Sequence, residues 1–565
     1  MHGKDTTKKI EELLFDSSKL YFDENVGGTG LPEGVEICLQ PTRDKEHGDL
    51  ACNLAMRLAR SAKRPPAEIA SGIVAVLKKS VRSSGLAPVI DRVEAKGGFI
   101  NFSFSAQYYG GLLKDIYGTG RDFGRSDIGC GKKVNLEFVS ANPTGPLTIA
   151  HGRQAAIGDT LSRILKFTGH AVTNEYYLND AGRQINMLGR SVQVRYMNLH
   201  GRNEPMPEDG YMGDYITEIA ERVRDRKKDT LLEDNEENGN YFREYAVKHM
   251  MALIEKDLED FGVEFDEWTS QEKLEARGEV PVTLDMLRDR GYVFEKDGAV
   301  WFKTTELGDD KDRVVVKSDG SYTYLAPDIA YHRDKYARGY ELLIDLLGPD
   351  HHGYIKRMKA AVRAMGRAED SLKILIVQLV TLMRGDEALS MSTRKGEFLS
   401  LREILDELGK DVTRFFFLSR KLDSHLDFDI ELAKKESSDN PVFYIQYAHA
   451  RICSIHKFCS GKGPGYGIEG ADTELLTAKE EGLLVRKLAE FPLAVKASAE
   501  ALEPNRLIVY LNELARVFHS FYTECRVVNE EDPELTRARL FLVECARIVL
   551  ANGLGLLNIT LPERM

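Results

Sequence analysis

Residues 134–153, VNLEFVSANPTGPLTIAHGR, change character twice within twenty positions. VNLEFV is strand-like, and SANPTGP is a stiff loop rich in turn-forming residues. Beyond them Ile157, Leu161, Ile164 and Leu165 fall on one helical face that ends before Gly169, and AVTNEYYL (171–178) reads as the next strand. A strand, loop, helix and strand of these lengths form one nucleotide-binding half of a doubly wound parallel sheet. Such sheets hold ligands beyond the carboxyl ends of their strands and at helix N-termini. A second half is expected later, with YELLIDLL (340–347) and LKILIVQLV (372–380) as strands and Tyr354 to Met365 as the helix between them.

Working outward from this core, the charged stretch from about 190 to 290 separates the two halves and reads as a helical insertion. Residues 1–108 mix helical stretches with the strand alternation of RVEAKGGFINFSFS, giving an N-terminal α+β module. Past 425 the strand signal fades, and long apolar periodicities at 442–455, 483–502, 507–527 and 540–550 imply an all-α helical bundle over 426–565. The expected fold is multidomain α/β, with the split Rossmann-like parallel sheet at 125–425.

Composition narrows the function. With 565 residues, 42% hydrophobic and 29% charged, the chain is an ordinary globular sequence of several domains. No apolar run reaches the roughly 18 residues that span a bilayer, so no membrane partner is expected. The N-terminus lacks the apolar core of a signal peptide, and seven cysteines without a CxxC pair suit a reducing compartment, so a cytoplasmic protein without a metal site of its own is expected. A net charge of −12 excludes indiscriminate nucleic-acid coating but leaves room for a specific RNA met by local patches. Arg57, Arg60, Lys63, Arg64, Lys78, Lys79 and Arg82 form one such patch, or else a solvated face.

Three constellations carry chemistry. In the first, His151 and the free N–H groups of the helix start suit a triphosphate, and Gly152 admits a close approach of ligand or backbone. A lone histidine there reads first as a loop cap. In the second, Ser390-Met-Ser-Thr-Arg-Lys-Gly396 puts cations on a loop after LKILIVQLV, although by itself it reads as any solvated turn. In the third, VVVKSDGSYTYLAPDIAYHRDK (314–335) has an Asp-Gly hairpin turn, then Tyr324 on a strand, then Asp328 in the first turn of a helix opened by Pro327. An acid so placed is expected to be held ionised by the helix N-terminus, and a carboxylate meets a guanidinium through two parallel hydrogen bonds. Read alone, the two are a core tyrosine and a helix-start aspartate.

Together the first two constellations resemble the two signatures of class I aminoacyl-tRNA synthetases, and the whole chain resembles the arginyl family. Glu137, Phe138, Ser140, Asn142, Pro143, Thr144, Gly145, Pro146 and Leu147 match that family's run before its first signature, and MSTRKG matches its variant of the second. Thr148 and Ala150 depart from the first signature's usual His and Gly, and Ser390 and Thr393 from the lysines of the second. The resemblance implies ATP bound by Pro143, Gly145, Thr148, His151, Gly152, Met391, Ser392 and Lys395, with His151, Thr148, Arg394 and Lys395 stabilising the departing pyrophosphate. It implies arginine bound by Glu137, Ser140, Asn142, Tyr324, Asp328 and His352, and leaves Asn179, Asp180 and Gln184 either at the ATP side or merely ending a strand. Mg2+ would travel with the nucleotide, the remaining partner would be the tRNA for arginine, and a monomer is expected. For the RNA, the resemblance points to Phe99 and Asn101 in the N-terminal module. In the bundle it points to Tyr444, Tyr447 and Tyr522, with His449 and Arg451 nearby, or else to aromatics packed in a core. Two rivals stand beside this reading: a non-catalytic relative that senses tRNA or arginine, and a class I enzyme for another amino acid.

Overall fold

The computed structural model describes residues 2–26, 31–32, 35, 37–42, 47–385, 387–388, 399–461 and 466–565. Its N-terminal module packs three helices, His2–Asn25, Leu54–Ala62 and Pro66–Ser83, on an antiparallel sheet. The strands are β1 (Gln40–Pro41), β2 (Leu50–Cys52), β3 (Ile90–Lys96) and β4 (Phe99–Phe104), in the order β1-β2-β4-β3. Pro66 occupies the first turn of its helix, where a missing N–H costs nothing. Ile69, Ile73, Leu77 and Val81 then recur at helical spacing and bury one stripe against the sheet, forming a core separate from the rest.

The central sheet is parallel throughout. It comprises β5 (Lys133–Glu137), β6 (Ala171–Leu178) and β7 (Glu267–Ser270), and later in the chain β11 (Leu342–Leu347) and β12 (Leu372–Ile376). Their order is β12-β11-β5-β6-β7, so the first strand in the chain lies at the centre. Between β7 and β11 runs a small antiparallel sheet of β8 (Val293–Lys296), β9 (Ala299–Phe302) and β10 (Arg313–Val316). After β12 come β13 (Val380–Arg384), β14 (Glu387–Ala388) and β15 (Leu426–Asp429), which make a fourth sheet.

Three sequence expectations need correction here. The stretch 190–290 is not helical throughout: the helices Arg183–Leu199, Asp214–Lys227 and Glu236–Asp260 share their own small core, and the short helices Gln271–Ala276 and Glu279–Asp289 follow only after a strand. That strand, Glu267–Ser270, lies at the sheet edge and is too short and polar to show in a periodicity. LKILIVQLV is two strands of different sheets. The chain leaves the first after Ile376, where the buried Arg153 guanidinium takes the carbonyls of Gln378 (2.9 Å), Lys421 (2.8 Å) and Ser424 (3.0 Å). Both pieces are apolar, so the run shows no seam. Finally β15 lies just past residue 425 yet pairs with β13, on the catalytic side of the expected boundary.

Helices Pro441–Ser460, Lys479–Ala489, Phe491–Ala501, Asn505–Glu524 and Pro533–Leu556 form the C-terminal bundle. Its core is continuous with that of the helix Ile149–Phe167 behind β5. Arg414, fully buried, bolts the two together: it donates to Asp159 (2.5 Å) on that helix and to the Leu557 carbonyl (3.0 Å) at the end of the bundle. Breaking a buried pair leaves an uncompensated charge, at a cost of about 3–5 kcal/mol. Arg414→Leu is therefore expected to lower unfolding stability by about that much, and chemical denaturation should show Asp159→Asn in the same chain restoring part of it. A loss below about 1 kcal/mol would mean that Asp159 finds water or Arg163 instead.

Candidate functional site

The parallel register sets an unusual row at the carboxyl end of the sheet. Asp345 of β11 stands beside Glu137 of β5, Glu137 beside Glu175 of β6, and Glu175 beside Glu267 of β7. Neighbouring strands lie about 4.8 Å apart, so four like charges in one row need cations among them. The helix Leu325–Ala337 supplies these. Lys335, fully buried, reaches Glu137 (2.5 Å) and Asp345 (3.1 Å), while Arg338 at the helix end holds Glu175 (2.9 Å) and Glu267. His332 meets Asp345 at 2.9 Å. Burial alone would raise the Asp345 carboxyl, yet Lys335 and His332 outweigh it and hold it well below the usual range.

The same helix carries the third constellation. An Asp319-Gly320 turn, with Gly320 at φ +82°, folds Tyr322 back onto Val316. The helix then begins at Leu325, two residues before Pro327. Tyr324 is thus the residue preceding the helix and not part of a strand, and it is 77% exposed. Asp328 lies in the first turn and accepts from the Tyr354 hydroxyl. The helix start does not hold the Asp328 pKa down: burial, aided by the charge of Glu137, pushes it up to about 6, so the carboxylate prevails at neutral pH but is lost on mild acidification. His351 acts on Asp328 in the opposite sense, whereas His352 is exposed in the loop.

Between β5 and the helix Ile149–Phe167 the loop is tightly held. Val139 (φ +68°) and Ser140 (φ +38°) both adopt left-handed backbone, costing of order 1–3 kcal/mol each. The Ser140 hydroxyl donates to Glu137 (3.0 Å) and accepts from the Tyr177 N–H (3.0 Å), so this residue braces Glu137. Asn142 donates to Gln184 (2.7 Å), and Asp180 accepts from Ser270 and the Glu272 N–H, which makes Asp180 a tie between the ends of β6 and β7. Pro143 is buried, and Gly145 faces the hydroxyl of Tyr215, which donates to the Thr144 carbonyl (2.8 Å).

Thr148 precedes the helix, with its N–H and its hydroxyl each 3.2 Å from Nδ1 of His151. Nδ1 therefore accepts, and the proton of the neutral ring sits on Nε2. Burial pushes the His151 pKa down to about 4, so the ring is an uncharged donor. The Thr148 hydroxyl, expected to face a phosphate, faces this ring. Gly152 also needs correction: a Cβ there would strike Leu401 (2.7 Å) and Phe417 (3.0 Å), so its bare backbone serves core packing and not a ligand.

Met391, Ser392, Arg394 and Lys395 lie outside the described residues. The chain just beyond them returns to the same place: Ser400 bridges Thr148, and the Leu401 N–H donates to the Leu147 carbonyl (2.7 Å). On the bundle the Arg451 guanidinium lies between the rings of Tyr447 (4.6 Å) and Tyr522 (4.5 Å), and His519 packs on Tyr444 and Tyr447. His449 is apart from this cluster, buried with Nδ1 on the Pro562 carbonyl (3.0 Å). In the N-terminal module Phe99 is 41% exposed, but Asn101 is only 6% exposed, because it sits between Ala51 and Glu94 on the central strand β4. The basic residues of 57–82 spread over two helices, and Arg64 pairs with Glu68.

Sequence reasoning missed Lys335, His332, Asp345, Glu175 and Tyr354 as members of the site. A spacing of Asp328, His332 and Lys335 at i, i+4 and i+7 was the one available signal, since it aligns them on one helical face.

Comparison with known proteins follows the same division. The family "tRNA synthetases class I (R), catalytic domain" matches residues 122–417, "Arginyl tRNA synthetase N terminal domain" matches 10–104, and "DALR anticodon binding domain" matches 445–565. Similar curated proteins include the arginine–tRNA ligases of Syntrophotalea carbinolica (45% identity, 99% of this chain and 100% of the relative) and Bacillus subtilis (43%, 98% and 100%). Among solved structures, one from Campylobacter jejuni assigned as an arginyl-tRNA synthetase aligns at TM-score 0.75 and 34% identity, covering 82% of this chain and all of that one. The Thermus thermophilus arginyl-tRNA synthetase shares the fold at TM-score 0.73 and 21% identity, over 98% of this chain and all of that one.

His151 gives a direct check of the geometry. Because its folded pKa lies below the ordinary 6.5, the unfolded chain binds more protons between those values, and this residue's contribution to stability is lost as pH falls from about 6.5 toward 4. NMR titration should show its ring neutral at pH 5.5; protonation near 6.5 would contradict the burial.

Proposed function

This chain belongs to the arginyl-tRNA synthetase family, and from that premise we propose how its residues share the work of joining arginine to tRNA. The protein is an arginine–tRNA ligase that uses ATP as its co-substrate. In our reading the L-arginine guanidinium enters between Glu137 at the end of β5 and Asp328 at the helix start, with Tyr324, Asn142 and the exposed edge of the loop around the rest of the amino acid. The observation that supports this best is the placement of the two acids: burial raises Asp328 to about 6, and Glu137, itself buried at the end of β5, stands near enough to add its repulsion. A planar cation with paired donors relieves that repulsion, and Arg reads carboxylates in a way that a spherical ammonium does not.

The arginine carboxylate then attacks the α-phosphorus of ATP, forming arginyl-adenylate and releasing pyrophosphate. No protein nucleophile takes part; the chain orients its substrates and offers donors where charge develops. The neutral Nε2–H of His151 and the N–H groups of its helix start are one set, and Arg394 and Lys395 are the other. Losing one such donor costs roughly 10² to 10³ in rate. Mg2+ accompanies the nucleotide, held by phosphates and water, because the oxygens of the carboxylate row are already engaged by Lys335, Arg338 and His332. The ribose of the tRNA's terminal adenosine takes arginine from the adenylate, while Phe99 and the Tyr444, Tyr447 and Tyr522 cluster around Arg451 meet the RNA elsewhere. We place the enzyme in the cytoplasm, where its seven free cysteines suit a reducing compartment, and expect a monomer.

Charging of total tRNA with each of the twenty amino acids in turn should give product with arginine alone, and charging with any other would overturn the specificity. Asp328→Asn removes a hydrogen bond to a charged group, which is about 1.5–3 kcal/mol, and should raise the arginine KM roughly 10- to 100-fold with the ATP KM little changed. For the parent enzyme the arginine KM should rise as pH falls through about 6, since the protonated form of Asp328 no longer attracts the cation; a flat profile from pH 5 to 8 would exclude Asp328 from the site.

A further inference from the structure

Lys335 is fully buried, yet it sits directly against one of the two acids of the proposed guanidinium site. Its Nζ is fully buried between Glu137 Oε2 (2.5 Å) and Asp345 Oδ1 (3.1 Å), with the face of Tyr331 4.3 Å away and Glu175 of β6 acting on it electrostatically. Behind Asp345, His332 has an acceptor at each ring nitrogen: Asp345 Oδ2 at Nε2 (2.9 Å) and the Asp328 carbonyl at Nδ1 (2.8 Å). Both contacts are satisfied at once only by the imidazolium. A continuous chain therefore runs from the Asp328 backbone through His332, Asp345 and Lys335 to the Glu137 carboxylate, linking the supports of the two acids that face arginine.

Two consequences follow from this arrangement. Glu137 receives one fixed donor on each oxygen, Ser140 on Oε1 and Lys335 on Oε2, which sets the plane of its carboxylate while leaving further lone pairs free. The row of Asp345, Glu137, Glu175 and Glu267 also outnumbers the cations Lys335, Arg338 and His332 by one. Asp334, which touches Arg338 as well, has its own partner in Arg277 (3.6 Å).

We propose that Lys335 is a positioning residue for arginine: wedged between Glu137 and Asp345 and backed by His332, it fixes the plane of Glu137 and leaves the row one cation short, which the substrate guanidinium makes good. Lys335 itself touches neither arginine nor ATP. The inference rests on the reading that Glu137 and Asp328 face arginine.

Removing the ammonium leaves buried carboxylates without their partner, and the row then takes up a proton. Protonation rises as pH falls, so the defect should be worst at low pH. Steady-state charging by the full-length enzyme, at pH 6 to 9, tests this with four variants. Lys335→Met should raise the arginine KM tenfold or more at pH 7, with the ATP KM within twofold of the parent and the defect shrinking severalfold by pH 9. Lys335→Arg, which keeps the charge, should recover most of the loss. Asp345→Asn abolishes the deficit and should raise the arginine KM severalfold without the pH dependence seen for Lys335→Met. An arginine KM within twofold of the parent for Lys335→Met, or arginine and ATP KM rising together with no pH dependence, would overturn the proposal. If Lys335→Met does not accumulate as folded protein, Asp345→Asn decides alone, and an unchanged arginine KM there overturns it. Glu137→Gln separates the two levels: if it leaves the arginine KM unchanged the underlying reading fails, whereas if it raises the KM and Lys335→Met does not, only the role of Lys335 fails.

Discussion

Four carboxylates in one register of a parallel sheet repel one another, and at low dielectric that repulsion is too large to leave unanswered. Asp345, Glu137, Glu175 and Glu267 can stand together only because one helix lays Lys335 and Arg338 across them. That requirement fixes where the helix Leu325–Ala337 lies over the ends of β11, β5 and β6. With its far end pinned by ion pairs, its first turn can go to one place, and Asp328 is carried there. The place we propose for the substrate cation thus follows from the way the fold neutralises its own acids.

The side we propose for ATP is built on different physics. Strained backbone at Val139 and Ser140 turns the chain sharply after Glu137, and Thr148 then orients a histidine that burial keeps uncharged. An uncharged, fixed donor needs no reorganisation as negative charge develops, which is how preorganised sites lower barriers. Behind this loop, Gly152 and Gly158 let Leu401, Phe417 and Phe138 close onto the helix, and Arg153 and Arg414 tie that helix to β13 and to the end of the bundle. One apolar core therefore extends from the β5 loop into the domain matched by the anticodon-binding family. The candidate site and the C-terminal bundle are parts of one packed body.

Much of this was legible in the sequence because it is local. The strand, loop, helix and strand around residues 134–178 lie where their periodicity puts them, and Glu137 and Asp328 could be named from a strand end and a helix start. What escaped depends on register between distant segments. Asp345 pairs with Glu137 across 208 residues, and nothing in the apolar run LLIDLL says that its one acid will meet a lysine ten residues upstream. Gly152 was misread because a missing side chain looks alike whether a ligand or a leucine fills the space. Tyr324 and Asp328 were each displaced by context: the helix started earlier than its proline, and burial outweighed the helix start. Asn101 was misjudged because a short antiparallel strand with polar residues does not reveal that it is the central one.

Calorimetric binding of L-arginine in buffers of different ionisation heat tests most directly whether the guanidinium settles against the crowded acids. With Asp328 near pKa 6 before the ligand arrives, binding at pH 6 should release about half a proton, and binding at pH 8 almost none. Proton uptake, or no exchange at either pH, would mean that arginine does not meet this carboxylate.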